Sequence, residues 1–379
     1  TSRRSSPPPQ PATVVRSAAA SRARIDILAI VSTFDRVADL PVLVERCELE
    51  QLEQAVSSEF VRTTTQVRLR GGGEEGIGED VTYDGAAHDS LAAAPPLPLE
   101  GEWTIRSFSE HLDGLDMWPE PPGMDAFRDY RRWAFESAAL DLALRQAGRS
   151  LAEALGRSPQ PVRFVVSLRL GEPSTTAPIH ELLAGYPEMR FKLDPVPDWS
   201  AELVAELAEL DRVDVVDLKG QYSGTVVDNP PDAELYRRVA DAFPGAWIED
   251  PALTEETDAV LESHRDRITW DAPIHSVADI EGLPFPPRTI NIKPSRFGSV
   301  ERLFATYDYC AANSIEMYGG GQFELGVGRG HIQYLASLFH AGSSNDVAPG
   351  GFNLTPVAPG LEASPLDPRT DRVGFRRLA

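Results

Sequence analysis

Five short apolar runs in the middle of this chain each carry a charged residue at or next to their end. They are MRFKL (189–193) with Lys192, VDVVDLK (213–219) with Asp217 and Lys219, AWIED (246–250) with Glu249, ITWD (268–271) with Asp271 and TINIK (289–293) with Lys293. Three carboxylates delivered by three successive runs make an oxygen cluster suited to a hard cation, Mg2+ first and Mn2+ as the alternative. No His or Cys stands beside them at the run ends, which disfavours zinc. A lysine on either side of such a cluster could take a proton from one face of a bound molecule and return it to the other. The matching proton is one α to a carboxylate: it is weakly acidic, and its loss leaves an enediolate whose second negative charge a dication stabilises. Only neutral lysine is a base, so the arrangement predicts a lysine pKa lowered by burial and by the positive charge of the metal, Arg190 and Lys219.

These residues converge only if the runs are parallel strands of one sheet. Eight runs can be read, the five above together with VRFVVSL (162–168), NSIEMY (313–318) and a weak last one at GGQFEL (320–325), with helical segments between most of them. Eight imply a closed barrel, whose chemistry gathers at the C-terminal ends of the strands. The second and sixth strands lie half a circumference apart, so Lys192 and Lys293 face each other across the mouth. The expected fold class is α/β, a (β/α)8 TIM-like barrel with an N-terminal α+β capping domain. Its expected divisions are a disordered tail at 1–23, a capping domain at 24–125, the barrel at 126–345, and a segment at 346–379 that returns to the capping domain.

Within the capping region, RIDILAIVSTFD and FVRTTTQVRLRGGGEEGIGED read as strand-like, and LPVLVERCELEQLEQA leaves room for a helix. RGGGEEGIGED lacks the Lys-Ser/Thr of a phosphate loop and reads as a tight hairpin turn. Residues 84–125, rich in Gly, Pro and Ala, read as a loop. DAFRDYRRWAFESAALDLALRQAG reads as a helix ending at Gly148. The first 25 residues share their Arg/Ser/Pro/Ala-rich composition with organelle transit segments, although a disordered tail is the reading preferred here.

The 379 residues leave ample chain for a barrel of roughly 250 residues and a partner domain. With 36 Lys+Arg against 58 Asp+Glu, a formal charge of -22 argues against nucleic acid and anionic membranes as partners. No apolar run approaches a membrane span. Two distant cysteines, Cys47 and Cys310, suggest neither a disulfide framework nor a thiolate site and fit a cytoplasmic protein. A small-molecule carboxylate is the expected ligand and a homo-oligomer the expected assembly.

The motifs together resemble the enolase superfamily, specifically its muconate-lactonizing-enzyme-like subgroup, from about Ile25 to Phe339. AFESAALDLALRQAGRSLAEALG is similar to the family's helix before the barrel, RLRGGGEEGIGED to the turn that ends its capping sheet, and RFKLD to its second-strand Lys-x-Lys motif. The resemblance implies catalytic Lys192 and Lys293, metal ligands Asp217, Glu249 and Asp271, and Mg2+ as cofactor. A lysine base beside Mg2+ is the known pattern of that superfamily. The implied outcome is racemisation or epimerisation, cycloisomerisation or β-elimination, like o-succinylbenzoate synthase or an N-acyl amino acid racemase. Arg190, Lys219 and Glu324 are candidate substrate contacts, and the loops STFDRVADL (32–40) and GGGEEGIG (71–78) would set specificity. Departures from the pattern are Lys219 in place of the usual Asn and Ala272 in place of an acidic residue. The Asp-x-Asp pair of dipeptide epimerases would fall near Asn345 and Val347. The alternative reading is a catalytically silent barrel that binds a ligand or partner, its metal lost to Lys219.

Overall fold

A computed structural model describes residues 32–56, 60–222, 229–354, 356–357 and 359–377. The expected N-terminal tail, and the strand-like run up to residue 31, lie outside them. From Ser32 onward the chain forms one compact unit.

The N-terminal part is built on an antiparallel sheet of β2 (Arg46–Ala55), β3 (Val61–Gly71) and β4 (Glu74–Asp80). The segment that left room for a helix instead holds two strands, β1 (Pro41–Val44) and β2, with Glu45 between them. β1 pairs with β5 (Gly101–Thr104). β3 and β4 turn at Gly72 and Gly73, whose φ values of 59° and 80° suit glycine. The expected loop at 84–125 also holds α1 (Gly85–Ala93) and α2 (Ile105–Asp113). α1 is poor in large apolar residues, so its weak periodicity gave no signal; α2 starts in a Thr104–Ser107 capping box.

The long helix α3 (Ala126–Gln146) lies against β4, followed by the short α4 (Leu151–Leu155). Close approach is possible because two positions of β4 lack a Cβ. One built on Gly78 would stand 1.9 Å from the Ala134 carbonyl, and one on Gly76 2.2 Å from that of Ala138. Gly78→Ala is therefore expected to destabilise the protein by about 3 kcal/mol, at the upper end of overpacking costs, read as a lowered urea midpoint. A midpoint equal to wild type would show that β4 can move off the helix.

Beyond α4 come alternating strands and helices. The strands are β6 (Val166–Leu168), β7 (Phe191–Leu193), β8 (Val213–Asp217), β9 (Trp247–Glu249), β10 (Ile268–Trp270), β11 (Thr289–Ile292) and β12 (Glu316–Gly319). The helices are α5 (Ala177–Gly185), α6 (Ala201–Leu210), α7 (Ala233–Ala242), α8 (Glu255–Leu261), α9 (Val277–Glu281), α10 (Val300–Ala312) and α11 (Val327–Phe339). The seven strands form one parallel sheet in sequence order. β7, β10 and β11 are buried along their whole length, as helix-covered parallel strands require. Ser200, Asp232, Thr254, Ser276 and Ser299 cap α6 to α10 through their side chains, each cap worth about 1 kcal/mol.

The eighth run differs from expectation. Residues 320–325 form no strand; after Gly319, Gly320 and Gly321 the chain turns through Phe323 (φ 57°) toward α11. Two residues beyond α11 lie beside the sheet edges instead: Asp346 bridges Gly320 and Asn345 bridges Phe164. Their backbone bonds are Asp346 N–H to Gly319 O at 2.8 Å and Val165 N–H to Asn345 O at 2.9 Å. The result is a curled parallel sheet of seven strands, with isolated bridges where a closing strand would run.

The antiparallel sheet is tied to the turn after β12. Glu79 accepts amide N–H groups of Leu325, Gly326 and Gly328 at the start of α11, a favourable place for a carboxylate. Buried Arg62 donates to the carbonyls of Val81, Thr82, Gln322 and Phe323. Near the C-terminus, Arg376 bonds Asp141 of α3 and the Glu75 carbonyl of β4.

Candidate active site

The strand ends bring the charged residues together. Asp217 and Glu249 are the last residues of β8 and β9, and Asp271 and Lys293 directly follow β10 and β11. Lys192, in the middle of β7, is 1% exposed; its ammonium lies 2.9 Å from Asp217 Oδ2, also contacts Glu249 Oε1, and is 3.7 Å from Asp346 Oδ2. The other Glu249 oxygen accepts from the Tyr318 hydroxyl at 2.5 Å. Lys293 donates to Asp271 Oδ2 at 2.8 Å. Thus Lys192 serves the Asp217–Glu249 side of the carboxylate row and Lys293 the Asp271 side.

Four participants had little signal in the sequence. Arg296, on a short turn of 3-10 helix after Lys293, is buried and reaches Asp271 Oδ1 at 2.7 Å. The Tyr222 hydroxyl donates to Asp271 Oδ2 at 2.9 Å. Tyr318 and Asp346 come from β12 and the bridging segment. Period-two alternation within EMYG could have pointed Tyr318 inward; Asp346, in a polar turn, offered no such pattern.

The three candidate substrate contacts are placed differently. Arg190 precedes β7 and spends its guanidinium on Asp214 and the Asp211 carbonyl, at the N-terminal end of the strands and away from the mouth. Glu324 is buried below the antiparallel sheet, accepting from Gln322 N–H at 2.6 Å and pairing with Arg329 at 3.2 Å. Lys219 does enter the site: its ammonium contacts Asp217 Oδ2 and lies 3.7 Å from Asp194 Oδ1.

The electrostatics follow from these contacts. Burial by itself would lower the Lys192 pKa, but the charges of Asp217 and Glu249 outweigh it and hold the ammonium well above its ordinary value. Burial likewise pushes Asp217 up, and Lys192 and Lys219 pull it below the usual carboxylate range. Asp271 is held far down by Arg296 and Lys293 against the effect of burial. Burial raises Glu249 to about 8 against the pull of Lys192, and Asp250 to about 7, and in both cases neighbouring carboxylates add to the shift.

That imbalance tests whether a divalent ion fits. Asp194, Asp217, Glu249, Asp250 and Asp271 are buried, against Lys192, Lys293 and Arg296; Asp346 and Lys219 add one charge of each sign at the edge. With all of them ionised, acids would exceed bases by two, leaving aside the solvent-exposed Arg169 beside Asp194, and the upward shifts of Glu249 and Asp250 express that excess. One oxygen each from Asp217, Glu249 and Asp250 lies within 4.8 Å of the others, a hard donor set. Asp250 also accepts the amides of Asp271 and Ala272 at 2.7 and 2.8 Å. The donor chemistry and the surplus of negative charge both fit a hard dication.

Comparison with known proteins places this geometry. A family model described as the C-terminal domain of DUF8230, a domain of unknown function, matches residues 158–354, and its N-terminal companion matches 35–154. An N-succinylamino acid racemase of an Amycolatopsis species is 30% identical over 283 residues, covering 66% of this chain and 74% of the relative. The chain belongs to the enolase superfamily. Within the superfamily it falls in the muconate-lactonizing-enzyme-like subgroup and, by its matched domains, in the DUF8230 family. An o-succinylbenzoate synthase of Listeria innocua is 28% identical over 251 residues, 64% of this chain and 63% of the relative. The solved structure of a dipeptide epimerase from Methylococcus capsulatus complexed with Mg ion shares the fold of this superfamily member, with a TM-score of 0.65 at 20% identity, covering 88% of this chain and 99% of that one.

Proposed function

We propose that this chain removes a proton α to a substrate carboxylate through an enediolate, with Mg2+ as cofactor, and so racemises, cyclises or eliminates an N-acyl amino acid or a related carboxylic acid. The observation that carries it is the pair of lysines flanking a row of buried carboxylates, Lys192 on Asp217 and Glu249 and Lys293 on Asp271. The names of the racemase and synthase relatives support the substrate class. We read the sheet as a (β/α)8 barrel whose eighth place is held by residues 345–346, and the sheet of β2, β3 and β4 as its cap.

Asp217, Glu249 and Asp271 would hold the ion, since they end three successive strands. The distances favour a second set in which Asp250 is the third ligand. With Mg2+ bound there, negative charge developing on the substrate carboxylate is stabilised. Lys192, relieved of its part as counter-ion, can be neutral and accept the proton. Lys293 serves the opposite face, returning a proton in a racemase. Ser167, in register with Lys192, lines a cavity of about 740 Å3 together with Leu168, Leu182, Tyr186, Phe323 and Phe352. This apolar wall suits the acyl or side-chain part of a substrate. The two described cysteines are free, which supports a reducing cytoplasm.

The test is exchange in D2O. With Mg2+ and a panel of N-succinyl and other N-acyl amino acids, deuterium is expected at the α-carbon of at least one member, read by NMR or mass. A folded, Mg2+-binding protein that labels none would remove the reading. The ion pairs that already cover Asp217 and Asp271 favour a second reading, a silent barrel; it predicts no heat of Mg2+ binding at millimolar metal.

A further inference from the structure

Lys219 stands apart from the other cations of the site. Its φ of 56° is left-handed, a conformation that glycine or asparagine adopts more readily. A local turn holds it there: its N–H donates to Asp217 Oδ1 at 3.2 Å, and its carbonyl accepts the Tyr222 N–H at 3.2 Å. The side chain doubles back and seats its ammonium on Asp217 Oδ2, the same oxygen that Lys192 approaches to 2.9 Å. Two ammonium groups on one oxygen repel each other. A second acceptor is near: Asp194 Oδ1, 3.7 Å from the Lys219 nitrogen, is buried and receives no hydrogen bond among the described residues. The other Asp194 oxygen is engaged by Arg169 at 3.2 Å, which orients the carboxylate. The ammonium therefore has two seats within a short swing, one crowded and one lacking a donor.

We propose that Lys219 is a built-in counter-ion that covers Asp217 until a divalent cation takes that carboxylate, and then moves onto Asp194. The proposal rests on the metal reading above. It assigns Lys219 a positioning role: the chain itself competes with the metal for Asp217, and Asp194 is the acceptor that lets the competitor leave. Lys219 thereby sets how much free Mg2+ is needed to fill the site and keeps Asp217 neutralised at low metal.

The test is Mg2+ titration calorimetry on the full chain, with thermal unfolding of each variant with and without Mg2+ as a check of fold. Lys219→Met and Lys219→Asn are both expected to tighten Mg2+ binding by about tenfold, the change produced by 1.4 kcal/mol. Asp194→Asn is expected to weaken it by a similar factor when Lys219 is present and to change it little in the Lys219→Met background. That coupling separates the two-seat arrangement from a general loss of structure. Equal Mg2+ affinity in wild type and both Lys219 variants would overturn the counter-ion role while leaving the metal reading intact. An Asp194→Asn effect of the same size in both backgrounds would also overturn it. Absence of Mg2+ binding in every variant, including those without Lys219, would remove the metal reading and this inference together.

Discussion

Lys192→Ala is expected to slow α-proton exchange by about 10^2- to 10^4-fold, the range that general bases contribute. The loss should be one-sided. Lys192 and Lys293 serve different sides of the carboxylate row, so each should face one enantiomer of a chiral substrate. Lys192→Ala should then slow exchange from one enantiomer by that factor and Lys293→Ala from the other, while each variant still labels its remaining partner at close to the wild-type rate. A structural role for both lysines predicts equal losses on both enantiomers, a pattern that would count against two-base chemistry. Because Lys192 is buried between two carboxylates, its truncation also strands charge, at a cost of about 3 kcal/mol. Exchange should therefore be measured below the thermal midpoint of the variant, with Mg2+ present to neutralise the buried acids left unpaired.

How much of this was legible follows from what each residue's position depends on. Asp217, Glu249 and Lys293 could be read because each lies at a strand end flagged by a run of β-branched and aromatic residues, and parallel topology turns such ends toward one mouth. Arg296 could not, since its approach to Asp271 depends on the turn that Pro294 starts after Lys293, a property of the backbone path with no period. Asp346 was hidden for a related reason: only two residues between α11 and the C-terminal segment bridge the sheet edges, too few to alternate. The glycines of GGQFEL sat among apolar residues and imitated a weak strand, but Gly320 and Gly321 serve to turn the chain toward α11. The contacts of Lys192 were not legible either, because the sequence lists charges without distances. Two acids touch it and outweigh the effect of burial, so that its ammonium is held above the ordinary value until a cation takes those carboxylates. Arg190 shows the same limit, since period two places it on the face of Lys192 but its long side chain turns back to Asp214.

Asp217→Asn is expected to weaken Mg2+ binding by at least about 100-fold, the upper range for perturbing the groups around a metal ion. It should also destabilise the metal-free fold by about 3–5 kcal/mol, because Lys192 and Lys219 lose the carboxylate they share. The same calorimetry decides the third ligand. If Asp271 binds the ion, Asp271→Asn should approach the effect of Asp217→Asn, and Asp250→Asn should act mainly on stability, through its bonds to the Asp271 and Ala272 amides. If Asp250 binds it, the ranking reverses. Each candidate has a competitor of a different kind. Asp271 must shed contacts to Lys293, Arg296 and Tyr222 before it can offer a lone pair, whereas Asp250 gives each oxygen to one neutral amide and keeps another lone pair free. Removing that competition should therefore matter for one ligand only: Arg296→Gln should tighten Mg2+ binding if Asp271 is the ligand and leave it unchanged if Asp250 is. Wild-type affinity in Asp217→Asn would place the ion elsewhere and remove the carboxylate row from the chemistry altogether.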